Sequence, residues 1–420
     1  MKIAERTTLG RDYASRWVLH SQPDGMILVD KSSLYYVRLT PLAAELMLQF
    51  SKGRSLDDVA AARAVLENVT VAEARAALVQ LLSGDPLTGE WLKGGVDSEI
   101  RVTGSEQSYV PVTMSLQLTN GCNLECSFCY AASGARRDSE LSAQEWIDVI
   151  KRGSSLGVLS CTLTGGEPTM ARGFHHILTA AASYFTTVSL FTNGYALSRR
   201  TISLIAALGN VDVQVSLDGV GETHNTIRGG RDAFNKTLKT ISDLTAQGVS
   251  VDAAMVATPK NYRQVEDLAA VLDDAGAYRL RVAEIQTLGR AAGSDEFRLA
   301  EEMAAAVEEQ MERFSARGRN LEIVQGTGCD LGEEVEVLTG RESEYLVPGY
   351  LSWHVLSDGR VTPCTLEEVG AIGNVRTDAL ERIGSLDNLE AAAQKSFGCR
   401  CMKYVSRPTS CGHPYAEAVR

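Results

Sequence analysis

The sequence predicts an α/β protein built on a mostly parallel sheet, open or closed into a barrel, with a smaller module at each end. Three observations lead there. Strand-like and helix-like runs alternate from Val112 to about Gly326. Two β-prone runs followed by three helical runs fill the first 84 residues, in a winged-helix-like order. Five of the nine cysteines lie beyond Gly326, where the alternation stops.

In chain order, the β-prone runs 26–30 and 33–39 are separated by Lys31-Ser32, consistent with a hairpin. Thr40-Pro41 supplies an N-cap and a first-turn proline for a helix through Phe50, and Lys52-Gly53 stops it. Ser55 caps a second helix, and Thr70 with Glu73 forms a capping box for a third ending at Gly84. Residues 1–84 are therefore the first domain. From 85 to 110 the composition shifts to Gly, Asp, Ser and Pro with little periodicity, the pattern of a linker. The next domain, 111–326, holds strand candidates at 112–119, 158–163, 187–192, 211–217, 249–256, 278–285 and 321–325. Amphipathic runs separate them, one opened by a Ser142–Glu145 capping box. Residues 327–420 form the third segment.

Composition narrows the function classes. Of 420 residues 44% are hydrophobic and 22% charged, as in globular protein, and Lys+Arg 41 against Asp+Glu 53 leaves a net −12. That balance repels nucleic acid and anionic membranes, so neither is an expected partner. The N-terminus carries charges throughout and lacks the apolar core of a signal peptide. The longest charge-free stretch, between Arg172 and Arg199, is broken by Thr186, Thr187, Ser189 and Asn193-Gly194. It reads as helix, strand and turn, not a membrane span. A cytoplasmic location is expected, where thiols stay reduced and available to metal.

Directly after the first strand of the alternating region stand Cys122, Cys126 and Cys129, a C-x3-C-x2-C spacing. Three thiolates on one loop can hold three irons of a [4Fe–4S] cube and leave the fourth open, whereas electron-transfer clusters use four cysteines. A zinc knuckle is the alternative, but zinc takes four ligands and no fourth lies nearby. The loop, with Phe128 as its aromatic, resembles the C-x3-C-x-aromatic-C loop of the radical S-adenosylmethionine (SAM) superfamily. Gly165-Gly166-Glu167-Pro168 follows the second strand, Thr192-Asn193-Gly194 the third and Ser216-Leu217-Asp218-Gly219 the fourth, with Arg228 downstream. The resemblance spans about 112–326 and implies a partial (β/α)6 radical SAM barrel. It further implies that the GGEP segment contacts the SAM amino group and that Ser216 and Arg228 contact its ribose and carboxylate. Phe128, Gly165, Gly166, Glu167, Pro168, Thr192, Asn193, Ser216, Asp218 and Arg228 are accordingly the candidate cofactor-binding residues. Residue chemistry agrees: parallel barrels place their sites at strand C-terminal ends, Glu167 can pair with an ammonium, and Arg228 can fork onto a carboxylate. The resemblance implies one-electron cleavage of SAM to a 5′-deoxyadenosyl radical that takes hydrogen from the substrate. Cys161, inside a strand, is expected as a buried core thiol.

Beyond the barrel stand Cys329, Cys364, Cys399, Cys401 and Cys411. Gly359–Cys364 (G-x4-C) and Gly373-Asn374-Val375 resemble the SPASM or shorter Twitch extension of radical SAM maturases. Five cysteines, where a full SPASM pattern needs about seven, imply one auxiliary iron–sulfur cluster with four of the five as ligands. A four-cysteine zinc site remains the alternative. The first module resembles a RiPP recognition element, which captures a leader peptide as an added strand at a sheet edge; a generic docking or dimerisation module is the other reading. Together these imply a peptide maturase acting on a precursor peptide with a leader, fed electrons by a flavodoxin or ferredoxin. The expected product is a thioether or carbon–carbon cross-link, with epimerisation, or maturation of a protein side chain or small metabolite, as alternatives. No residue stands out as general base; Glu284, Gln286 and Arg290 follow the sixth strand and are placed to line the site.

Overall fold

Trp17–Gln22 (β1), Gly25–Asp30 (β2) and Tyr36–Arg38 (β3) form an antiparallel meander, with Leu19 opposite Leu28 and Leu28 opposite Val37. Period-two alternation gives this sheet two apolar faces. Leu19, Leu28 and Val37 pack against helices Pro41–Ser51 (α1), Leu56–Glu67 (α2) and Val71–Ser83 (α3), while Val18, Ile27 and Val29 pack on Val112 and Leu159 at the foot of the next domain. Ser55 caps α2 as expected, forming a capping box with Asp58, and the expected Thr70–Glu73 box is present on α3. The computed structural model describes residues 16–23, 25–31, 36–39, 41–84, 86–93, 100–285, 288–326, 336–337, 352–363 and 370–395.

The stretch expected as a linker departs from that reading. Pro86–Lys93 is a helix (α4) and Ile100–Gly104 a strand (β4) running parallel to β1. Tertiary burial overrides a weak local pattern here. Trp91 is fully buried with its ring 4.8 Å from that of Phe50, and Ile100 joins the same cluster. The strand β1 also went unforeseen, because His20, Ser21 and Gln22 interrupt its apolar run. His20 is buried by pairing both ring nitrogens: Nε2 donates to the Val110 carbonyl at 2.8 Å, which leaves Nδ1 to accept from Thr103 Oγ1 at 2.9 Å. The module is thus tied to the barrel entry by hydrogen bonds as well as apolar contact.

The alternating region folds as expected: Thr113–Gln117 (β5), Ala143–Leu156 (α5), Ser160–Thr164 (β6), Phe174–Tyr184 (α6), Thr187–Thr192 (β7), Arg199–Leu208 (α7), Val211–Ser216 (β8), Glu222–Arg228 (α8), Ala233–Thr245 (α9), Val251–Ala257 (β9), Val265–Asp274 (α10), Arg279–Glu284 (β10), Glu301–Ser315 (α11) and Glu322–Gly326 (β11). Strands β5 to β11 lie side by side in sequence order and all parallel, the arrangement of a partial barrel with no reversal of strand order. Burial alternates strictly along β7, β8 and β9. Val188, Val213 and Val251 pack with Ile202, Ile241 and Leu268 of the helices. The opposite face carries Ser189, Phe191, Asp212, Gln214 and Ser216, all half-buried. A parallel sheet covered on both faces would be apolar on both; this one keeps a polar concave face.

Glu336–Val337 (β12) pairs in parallel with β3 at the edge of the first sheet. Ser352–Val355 (β13) joins the barrel sheet parallel to β5, and Arg360–Thr362 (β14) returns antiparallel through a turn at Gly359 (φ +89°). Gly373–Asn374 (β15), Leu380–Ile383 (α12) and Leu386–Lys395 (α13) complete the described residues. The C-terminal segment is therefore continuous with the barrel, since Trp353, Val355, Val361 and Ile372 share its core. Among the described residues no helix is long and apolar enough to cross a membrane.

Candidate active site

The loop that leaves β5 passes over the C-terminal ends of the barrel strands, and backbone hydrogen bonds set its path. Gly166 N donates to Thr119 O at 2.8 Å, Glu167 N to Gly121 O at 2.9 Å, and Cys122 N to Gly134 O at 2.9 Å. Gly166 is required by this approach, since a Cβ there would stand 2.5 Å from Gly121 O. Glu140, which no sequence motif marks, accepts from Asn120 N at 2.7 Å, Thr119 Oγ1 and Arg137 N, pinning the loop's two ends together.

Cys122, Cys126 and Cys129 are brought to this one loop as free thiols, Cys126 buried and the others half-buried. Asn193 Nδ2 lies 3.9 Å from Cys122 Sγ, and Arg228 Nη1 lies 3.6 Å from Cys126 Sγ. Burial, with the neighbouring thiols and Glu167, pushes the Cys122 thiol up, partly offset by the Leu124 amide. Three free thiols on one loop, two of them with N–H groups close to the sulfur, fit a cluster whose thiolates are stabilised by such donors. Among the described residues no three His, Cys, Asp or Glu side chains close on a single ion.

Glu167 is 2% exposed and fully engaged. Its carboxylate accepts from Thr169 N and Oγ1, from Thr192 Oγ1 at 2.9 Å and from Asn193 N at 2.8 Å. Burial raises its pKa, and these donors oppose that shift. The side chain thus organises the β6 and β7 loops. Pro168 opens a short helical turn behind it. Asn193 passes the order on, donating to Asn123 Oδ1 at 2.8 Å.

On the other side, Asp218 is fully buried and accepts from Val256 N at 2.9 Å and from Arg228 Nε. Asn261 donates to the Asp218 carbonyl at 2.7 Å, another contact that no sequence motif marks. Asp218 therefore holds Arg228 over the loop. Ser216 stands half-buried at the end of β8. The Phe128 ring turns inward, into a cluster with Ile227, Ala291 and Phe297, edge-on to Phe297 with centroids 6.0 Å apart. Cys161 is a buried core thiol, as expected. Glu284 is exposed at the end of β10, and Arg290 contacts the cysteine loop. Gln286, Cys329, Cys364, Cys399, Cys401 and Cys411 lie outside the described residues.

Comparison with known proteins follows the same lines. The sequence profile of the Radical SAM superfamily matches residues 116–272. Sporulation killing factor maturation protein SkfB of Bacillus subtilis (strain 168) is 34% identical over 386 residues, 91% of this chain and 91% of that protein. Antilisterial bacteriocin subtilosin biosynthesis protein AlbA of the same organism is 27% identical over 312 residues, 72% of this chain and 67% of that one. The structure of Streptococcus suis SuiB bound to S-adenosylmethionine superposes with a TM-score of 0.64 at 18% identity, covering 88% of this chain and 87% of that one.

Proposed function

The chain belongs to the radical SAM superfamily, and from that premise we propose that it is a maturase that cross-links a ribosomally synthesised precursor peptide. The carrying observation is the loop of three free thiols held at the barrel mouth between the Gly166–Glu167 backbone and the Asp218–Arg228 pair. Cys122, Cys126 and Cys129 would hold a [4Fe–4S] cluster with an open iron. The Gly165–Glu167 backbone, Asn193, Ser216 and Arg228 would bind SAM. When bound, these cofactors supply the 5′-deoxyadenosyl radical that takes hydrogen from the peptide. Asp218 fixes the Arg228 guanidinium, so its charge is aimed before a ligand arrives. Phe128, Ala291 and Phe297 seal the back of the loop against water. The polar concave face of β7 and β8 gives a peptide backbone hydrogen-bonding partners that an apolar lumen lacks.

Residues 1–84 would capture the leader. Among the described residues the sheet's β3 side has only the two-residue β12 as partner, an edge suited to strand addition. The net charge of −12 favours a neutral or basic leader. Residues 327–420, with Cys329, Cys364, Cys399, Cys401 and Cys411, would hold one auxiliary cluster able to accept the electron released on bond formation. A flavodoxin or ferredoxin would supply the reducing electron.

The test is anaerobic reconstitution with dithionite, SAM and any short peptide found encoded beside the gene. Wild-type protein is expected to release 5′-deoxyadenosine and lighten the peptide by two hydrogens, and Cys126→Ala to do neither. Iron-loaded wild type that never cleaves SAM, with or without peptide, contradicts the enzyme reading; SAM cleavage with altered chirality and unchanged peptide mass contradicts the cross-link.

A further inference from the structure

The segment that follows β10 grips the cysteine loop between Cys126 and Ser133, beyond the residues that Glu167 and Asn193 contact. It makes a tight turn at Gly289–Ala291, and Arg290 uses both backbone and side chain. Arg290 N donates to Cys129 O at 3.0 Å, its Nη1 donates to Cys126 O at 2.9 Å, and its Nη2 donates to Ser133 O. Gly289 precedes it at φ +55°, where a Cβ would collide with the carbonyl oxygens of Cys129 and Tyr130. Ala291, fully buried, packs against Phe128 within the loop itself. One turn thus holds the backbone at two of the three cysteines and at the loop's return.

We propose that Arg290 is a positioning residue for the cluster site: its guanidinium, delivered by the β10 turn, fixes the main chain at Cys126 and Cys129 and so holds their thiols in place. The inference rests on the radical SAM reading of the loop. Its chemistry is specific to arginine. A planar fork reaches two carbonyl oxygens at once, whereas a lysine ammonium on its flexible stem reaches one. Carbonyls that lose a charged donor return to water, and the loop gains freedom along the stretch that Glu167 and Asn193 do not contact. The cluster's own thiolates stay chemically unchanged, so the effect falls on retention.

The experiment compares wild type, Arg290→Ala, Arg290→Lys and Arg298→Ala. Arg298 lies on the same segment, in an exposed pair with Asp295, and serves as the control. Anaerobically reconstituted proteins are mixed with an iron chelator, and the release phase absent from Cys126→Ala is timed. Arg290→Ala is expected to release that iron about tenfold faster, Arg290→Lys to fall between, and Arg298→Ala to match wild type. Hydrogen exchange on the iron-free proteins supplies a second readout. The amides of Cys129, Ala132 and Gly134 are expected to exchange faster in Arg290→Ala, while those of β7 and β8 stay unchanged. Wild-type release with wild-type exchange in Arg290→Ala overturns the proposal. A wild type with no Cys126-dependent iron overturns the cluster reading instead, and the exchange arm still decides whether Arg290 holds the loop.

Discussion

In the N-terminal module the buried cluster is built from Trp17, Leu28, Met47, Phe50 and Trp91; the carboxylates of Asp58 and Glu73 sit at the surface capping helices, and the buried one, Asp30, is paired with the half-exposed Arg16 guanidinium. At the barrel mouth the carboxylates go inside: Glu167 is 2% exposed and Asp218 0%, each ringed by donors from neighbouring loops. Burying a carboxylate is costly unless it is hydrogen-bonded or paired, and an apolar core would secure the fold at less expense. The module is a scaffold whose buried cluster serves stability. The mouth accepts buried charge because fixed loops and an aimed guanidinium are what its chemistry needs.

The strongest challenge to this contrast is Glu167→Ala. It strands the Thr192 hydroxyl and the Asn193 amide, each costing about 1–3 kcal/mol. SAM cleavage is expected to fall by about 100-fold or more, read as 5′-deoxyadenosine yield; a variant within threefold of wild type would mean the buried carboxylate is merely structural filler. Trp91→Ala is the matching change in the module. It should lower that module's stability by about 3–5 kcal/mol in denaturant unfolding. Peptide-free SAM cleavage should stay within about twofold, and a collapse of both would show that the two regions fold as one unit.

Acid separates the regions less sharply, because each holds buried neutral histidine. Burial lowers the pKa of His224 and His354 to about 4 and lowers that of His20 as well. Unfolded histidine titrates near 6.5, so the unfolded chain binds the extra protons first. Stability is therefore full above about pH 6.5 and declines as pH falls toward about 4, by about 3 kcal/mol for His354 alone. In His354→Gln that decline should flatten, measured by urea unfolding at several pH values. The smallest expected effect is Thr70→Ala, a lost N-cap worth about 1 kcal/mol, with SAM cleavage unchanged.

The barrel was legible because its strands alternate on a two-residue period and its candidate site residues come as contiguous words, from Cys122–Cys129 to Gly165–Pro168. What escaped had no word of its own. Glu140 and Asn261 act through backbone groups that only the fold brings near, an amide 20 and a carbonyl 43 residues away; Arg290, expected to line the site, instead reaches carbonyls 157 and 164 residues away, a role no local pattern shows. Likewise β1, α4 and β4 are held by tertiary partners, His20 with Val110 and Trp91 with Phe50, which no local pattern announces. The ring of Phe128, expected among the cofactor-binding residues, faces the protein interior.

The decisive measurement is electron paramagnetic resonance of the anaerobically reconstituted, reduced protein with and without SAM. SAM is expected to shift the g-values of a cluster signal that disappears in Cys126→Ala, as it must if the iron left free by three cysteines takes the cofactor. A Cys126-dependent signal that SAM leaves unmoved would contradict the account at its root.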